Sequence, residues 1–319
     1  MITVESKHYC RENVEWVQQQ LKRHLAEQPG VGSYLEAIAN RPGKLLRARL
    51  FFSAARPDRL TAAALRIPVG LELLHLASLL HDDLMDRTAF RRGVPSLWRN
   101  SGCVAALLCG DYLFAQAFKE IALAGLPAGV PLMGTLVAGM ARAELEQDAH
   151  LFDPGVTVLQ YLRRIRLKTA RFFGVAAVLG GLVSGTSPFL LRRLYRFGVD
   201  LGLAFQMADD LRDMFTLDGG DLAKGILSLP ILLLIREKRQ GLVLVTRICR
   251  LRRLRADELY GLKCLLAESE SLRRVEREIR AYLHRARQLA QAMGEERLFR
   301  FYEELHQNLT ASMQQGASI

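Results

Sequence analysis

The chain has 319 residues, half of them hydrophobic, which is enough length and apolar content for a sizeable core and excludes a disordered protein. It carries 44 Lys and Arg against 33 Asp and Glu, a net charge of +11, so an anionic partner is expected: a nucleic acid, an acidic membrane surface or a phosphorylated small molecule. Five cysteines (Cys10, Cys103, Cys109, Cys249 and Cys264), an odd number with no CxxC spacing, exclude a disulfide framework or zinc site and point to reduced thiols in the cytoplasm.

The amino-terminal MITVESKHYCREN has no apolar signal core. Beyond it helical periodicity continues almost everywhere, and no run alternates as an amphipathic strand would. Turn signals punctuate it: RPG at 41–43, GVPS at 93–96, LPAGVP at 126–131, DPG at 153–155, SGTSP at 184–188 and LDGGD at 217–221. The intervals suit helices of roughly 15 to 25 residues. The expected architecture is all-α, a single-domain helical bundle over 1–319. Two charge-free windows, 121–141 and 172–191, approach the roughly 20 residues of a membrane span. Internal prolines, glycines and the SGTSP turn make them core helices with turns instead, so no transmembrane segment is expected.

In chain order, GKLLR at 43–47 places Lys44 and Arg47 three apart, as at any basic helix start. The apolar run ELLHLASLL then carries His75, a residue type that on an apolar face is more often a satisfied core histidine. It leads into HDDLMDRTAFRRG at 81–93. Asp82 and Asp86 stand one helical turn apart and share a face, with Asp83 able to reach the same edge. Like charges at that spacing repel unless a cation sits between them. Mg²⁺ suits them, because it takes a few carboxylates, keeps waters and completes its shell with substrate phosphate oxygens. FQMADDLRD repeats the pattern with Asp209, Asp210 and Asp213, again at the end of a long apolar helix. One such cluster is a weak signal and is usually a solvated face. Two, facing each other across a bundle, would line a pit with carboxylates suited to metal ions carrying a diphosphate.

The arginines at 192, 193 and 196, and those at 247, 250, 252, 253 and 255, lack interleaved aromatics or a nucleic-acid motif. They read as a solvated face, with attraction to a membrane surface as the alternative and no nucleic-acid partner.

The sequence resembles the trans-isoprenyl diphosphate synthases, the polyprenyl synthetase family. The resemblance rests on GKLLR (43–47), ELLHLASLLHDDLMD (72–86), RRG (91–93), GDYLFAQAF (110–118), KTA (168–170), FQMADDLRD (205–213) and DL..G..SLP (221–230), in family order. It implies an all-α isoprenoid-synthase bundle with a large central cavity, a homodimer, and Mg²⁺-dependent condensation of an allylic diphosphate (farnesyl or geranylgeranyl) with isopentenyl diphosphate. It assigns Asp82, Asp86 and Asp209 as the direct ligands of three Mg²⁺ ions, with Asp83, Asp210 and Asp213 supporting that shell. Arg91 and Lys168 would grip the allylic diphosphate, and Lys44, Arg47, His75 and Arg92 the diphosphate of isopentenyl diphosphate. Thr169 and Gln206 would stabilise the allylic cation. Glu72, Asp111 and Tyr112 are assigned structural roles.

Small residues at Ala77 and Ser78, where short-product members tend to carry aromatics, imply an all-trans product of roughly thirty to forty-five carbons. Leu113, Phe114 or Phe118 could still close the floor at geranylgeranyl length. A terpene cyclase and a regulatory subunit of a heteromeric prenyltransferase are the other readings. One departure stands out: after the second acidic cluster the loop MFTLDGGDLAKGILSLP is short, and Ile226 stands where the family has a lysine, with Lys224 two residues earlier.

Overall fold

Helix-forming sequence runs through almost the whole chain, and among its described residues the computed structural model is all-α apart from one short hairpin. It describes residues 4–39, 43–91 and 93–316. Arg92, assigned above to the isopentenyl diphosphate, lies outside them. The chain divides into two compact units, Met1–Gly134 with Val175–Arg192, and Thr135–Gly174 with Arg193–Ile319.

In the first unit α1 (Val4–Ala26) packs on α2 (Gly32–Ala39) and α3 (Leu46–Ala54), and α3 on α4 (Arg66–Met85). α4 is buried all round over its first half, from Ile67 to Leu74 without a break and with Glu72 the one charged residue in that run, as expected of a central helix. It lies along α5 (Leu97–Leu123). The close approach depends on Gly110, where a Cβ would come within 2.1 Å of the His81 ring. Among the described residues α5 alone is long and apolar enough to cross a membrane, by length and composition. It bends at Gly102 and includes Arg99, Asp111, Lys119 and Glu120. Between α4 and α5 the chain reverses through Arg87, at φ 50°, into an antiparallel hairpin of β1 (Phe90–Arg91) and β2 (Val94–Pro95), with Gly93 at φ 79° in the turn.

Turns break both charge-free windows as expected, but only the second forms the expected core helix: residues 172–181 are nearly all buried, whereas of 121–141 only Ile121, Gly129, Met133 and Leu136 are. α6 (Gly129–Asp148) begins after a turn at 124–128, and α8 (Arg171–Val183) ends at a turn before α9 (Pro188–Asp213).

In the second unit a capping box, Thr157 with Gln160, starts α7 (Val158–Ile165). α7 runs through a π-helical turn, Arg166–Ala170, into α8. α10 (Gly220–Ala223) is a single turn, and α11 (Leu229–Glu237) is buried from Leu229 to Ile235. α12 (Arg239–Leu251), α13 (Ala256–Ala267), α14 (Ser271–Met293) and α15 (Glu296–Gly316) complete it. α14 is amphipathic, turning Val275, Ile279, Leu283, Ala286 and Ala290 inward, a spacing of three and four. α2, α3, α7, α8, α10, α11, α12 and α13 are shorter than the expected helices. Periodicity alone does not register such breaks as the π-turn after α7 or the two positive-φ glycines, Gly219 and Gly220, before α10.

Candidate active site

The last turn of α4 carries Asp82, Asp83 and Asp86, with the Asp86 amide donating to the Asp82 carbonyl at 2.8 Å. The hairpin returns Arg91 to this turn. Its Nε lies 2.8 and 2.7 Å from the two carboxylate oxygens of Asp83, and Nη2 donates to Oδ1 at 2.6 Å. Asp83 is buried, while Asp82 and Asp86 are partly exposed. Burial works against the Arg91 charge, but the bonded Asp83 carboxylate and the nearby Asp82 and Asp86 outweigh it and raise its pKa. The aspartate and arginine motifs are therefore one structure, in which Asp83 orients Arg91.

The predicted isopentenyl diphosphate residues are less close-knit. Lys44 sits on an exposed turn before α3. Arg47 is buried at the start of α3, where burial lowers its pKa to about 10 against the opposing pull of Glu72. Glu72 also accepts the Ala48 amide at 2.9 Å, satisfying one of the unpaired N–H groups that open a helix. Burial raises the Glu72 pKa, and Arg47 and the amides oppose it. Glu72 thus joins α4 to the start of α3. His75 is half-buried, and its carbonyl accepts from Ser78 Oγ at 2.8 Å. Ala77 is completely buried on α4, as is Leu113 on α5. Phe114 stands against the His81 ring at 5.3 Å, and His81 Nε2 lies 3.2 Å from the Leu107 carbonyl and 3.5 Å from Asp111.

In the second unit the π-turn presents Lys168 and Thr169, and such turns recur at functional sites. Lys168 Nζ lies 2.6 Å from Glu144. Thr169 donates to Gln206 Oε1 at 2.7 Å, and Gln206 Nε2 donates to Asp210 Oδ1 at 2.8 Å. Tyr161, fully buried, donates to Asp210 Oδ2 at 2.6 Å. Burial raises the Asp210 pKa against those two bonds, and burial beside this carboxylate drives the Tyr161 phenol well upward. Asp209 pairs with Arg212. Asp213 Oδ2 accepts the Asp221 amide at 2.6 Å and so shapes the loop that follows.

Ile226 is buried, its amide bonded to the Asp221 carbonyl at 2.9 Å, and Arg164 donates to the next carbonyl, Leu227, at 3.3 Å. Tyr161, Glu144 and Arg164 were not singled out from sequence. The one available signal was position, since Tyr161 precedes Lys168 by two helical turns.

Among the described residues no three His, Cys, Asp or Glu side chains form a ready-made metal cluster. The donors fit magnesium nonetheless: they are hard carboxylate oxygens, and Mg²⁺ is characteristically held by one or two carboxylates with water and phosphate oxygens completing the shell.

The polyprenyl synthetase family model matches residues 28–257. The chain belongs to the polyprenyl synthetase family. It is 32% identical over 245 residues to heptaprenyl diphosphate synthase component 2 of Geobacillus stearothermophilus, covering 72% of this chain and 75% of that protein. It is 34% identical over 209 residues to the nonaprenyl diphosphate synthase of Mycobacterium tuberculosis, covering 63% and 62% of the two chains. It is also 34% identical over 190 residues to the octaprenyl diphosphate synthase of Escherichia coli, covering 59% and 58%. Its fold matches the crystal structure of heptaprenyl diphosphate synthase from Staphylococcus aureus with a TM-score of 0.84 at 23% identity, covering 93% and 97% of the chains. A decaprenyl diphosphate synthase from Rhodobacter capsulatus matches equally, at 0.84 and 22% identity, covering 96% and 98%. These polyprenyl synthetase relatives make this chain a prenyltransferase by family and fix its all-α fold class.

Proposed function

We propose that this polyprenyl synthetase is an all-trans polyprenyl diphosphate synthase that condenses farnesyl or geranylgeranyl diphosphate with isopentenyl diphosphate. Its product would have roughly thirty to forty-five carbons. The observation that carries this reading is the recurrence of medium- and long-chain synthases among the relatives. The small Ala77 before the first acidic cluster supports it.

Arg91, held in a fixed plane by Asp83, presents guanidinium N–H groups to the allylic diphosphate. Lys168 adds a second cation for the same group. Asp82, Asp86 and Asp209 would hold magnesium directly, three ions in the reading from sequence, with Asp213 supporting that shell; when bound, the metal neutralises charge on the leaving diphosphate. Asp83 and Asp210 act one step back, since their oxygens are engaged by Arg91, Tyr161 and Gln206. Thr169 and Gln206, bonded to each other, would stabilise the developing allylic cation. Lys44, Arg47, His75 and Arg92 hold the diphosphate of isopentenyl diphosphate. Its double bond attacks the cation, and the proton then lost from the new chain passes to the released diphosphate, so no side-chain base is needed.

The working assembly is a homodimer in the cytoplasm. Val104, Leu107 and Leu108, exposed on α5, supply an apolar face for a second copy. Cys103, Cys109, Cys249 and Cys264 are free thiols, as in a reducing compartment. A second reading, one subunit of a heteromeric enzyme, is favoured by the similarity to a protein named as a component.

The test is incubation with farnesyl diphosphate, labelled isopentenyl diphosphate and Mg²⁺, then chromatography of the dephosphorylated products. A labelled ladder longer than the primer, abolished by EDTA, supports the reading. A single geranylgeranyl product or a cyclic hydrocarbon overturns the chain length or the reaction, respectively. Inactivity relieved by an added partner selects the subunit reading.

A further inference from the structure

Residues 236–255 carry eight Lys and Arg against one Glu, the densest positive charge in the second unit, and they surround α12. The inner face of α12 is satisfied by packing: Gly241, Val245, Ile248 and Cys249 are buried, with Gly241 close against Leu234. Its outer face is not the wholly polar surface a solvated helix would show. Leu242 is 42% exposed, Val243 63% and Leu251 55%, interspersed with the exposed Arg239, Arg247 and Arg250.

Beside this face lies a cavity of about 660 Å³, lined by Lys238, Arg239, Gln240, Val243, Leu244 and Arg247. Three cations and two aliphatic side chains share its lining, a combination that matches a molecule with an anionic head and an apolar body. Two of the cations are braced from the protein side, Arg247 by Glu258 at 2.7 Å and Lys238 by Glu268 at 3.6 Å. Aliphatic side chains exposed among arginines argue against a nucleic-acid groove, which would use aromatics for stacking. They fit the interface of an anionic bilayer, where arginines meet lipid phosphates and short apolar side chains dip below them.

We propose that the outer face of α12, with the Lys238–Arg247 cavity as a seat for a lipid headgroup, docks this protein on an anionic membrane surface. Docking of this kind would leave the chain peripheral, without a spanning helix. The binding claim stands apart from the proposed reaction. Only its use, delivery of a water-insoluble prenyl product into a bilayer, rests on that reading.

The test measures co-sedimentation of the full chain, without substrates, with phosphatidylcholine vesicles and with vesicles containing phosphatidylglycerol. Binding is expected only to the anionic vesicles. It should weaken about thirtyfold in Arg239→Gln/Arg250→Gln, and about tenfold in Leu242→Ser/Val243→Ser. The control Arg274→Gln/Arg277→Gln removes equal charge from the exposed face of α14 and should bind as the parent does. The proposal is overturned by absence of vesicle binding, or by an equal loss in the α14 control. It is likewise overturned if the aliphatic variant binds unchanged, which means diffuse charge adsorption, or if RNA or inorganic diphosphate displaces the vesicles completely. Condensation activity assayed separately, without vesicles, should be unchanged in the α12 variants. An inactive parent that still binds vesicles would refute the proposed reaction and leave the docking surface standing.

Discussion

Asp83 and Arg91 form a fork-to-carboxylate ion pair eight residues apart, closed by the hairpin that follows α4. The pair turns a cluster of charges into an oriented guanidinium beside two more accessible carboxylates. Arg91→Lys keeps the charge but loses the planar fork. It should raise KM for the allylic diphosphate about tenfold with a smaller fall in kcat. Asp83→Asn should lower kcat/KM on the order of ten- to a hundredfold and cost about 2 kcal/mol in urea unfolding. Steady-state kinetics on both variants decide it, and an unaltered KM in Arg91→Lys would remove Arg91 from the binding role.

Tyr161→Phe deletes one hydroxyl and leaves Asp210 Oδ2 without that donor in a buried site. The expected cost is about 1–3 kcal/mol of stability. Because Asp210 also fixes Gln206, and Gln206 Thr169, kcat should fall on the order of tenfold while KM for isopentenyl diphosphate holds. A stability loss with unchanged kcat would reduce this network to a structural one.

Ala77→Phe adds a ring at a fully buried position of α4. If the growing chain passes this position, the product should shorten by at least one isoprene unit. Product chromatography is the measure, and an unchanged length distribution would falsify the floor assignment.

Ile226→Lys places a charge where the structure has a buried apolar side chain. Restoring the family lysine should therefore lower stability by several kcal/mol rather than improve the enzyme. A variant as stable as the parent, and faster, would show that the segment repositions to use a cation there.

Glu120 gives a pH dependence. Burial alone would raise its pKa, but His24 and Arg66, at 3.5 and 3.0 Å, outweigh it and hold it below the ordinary range. A carboxylate depressed on folding stabilises above its unfolded pKa of about 4.3, and that contribution is lost as pH falls through the lower folded value. Glu120→Gln should therefore be less stable than the parent at neutral pH and lose less on acidification below about pH 4. Thermal unfolding from pH 7 to pH 3 would show parallel curves if the pairing contributed nothing.

Much of this was written locally in the chain. The all-α class, the position of Asp82 and Asp86 on one helical face, and the second cluster at the end of α9 follow from side-chain spacing, which a helix converts directly into geometry. What local spacing could not supply was the partner of each charged group. Asp83 meets Arg91 because the backbone reverses at Arg87, between them. Lys168 meets Glu144 from another helix, and Arg47 meets Glu72 across α3 and α4. Asp210 meets Tyr161 across 49 residues. Residue type and periodicity determined which carboxylates exist and which face they share. The tertiary structure alone decided which are partly exposed, Asp82 and Asp86, and which are buried and bonded, Asp83 and Asp210. The physical reason is that a buried carboxylate must find hydrogen-bond donors, and the helices that bring those donors are set by long-range packing.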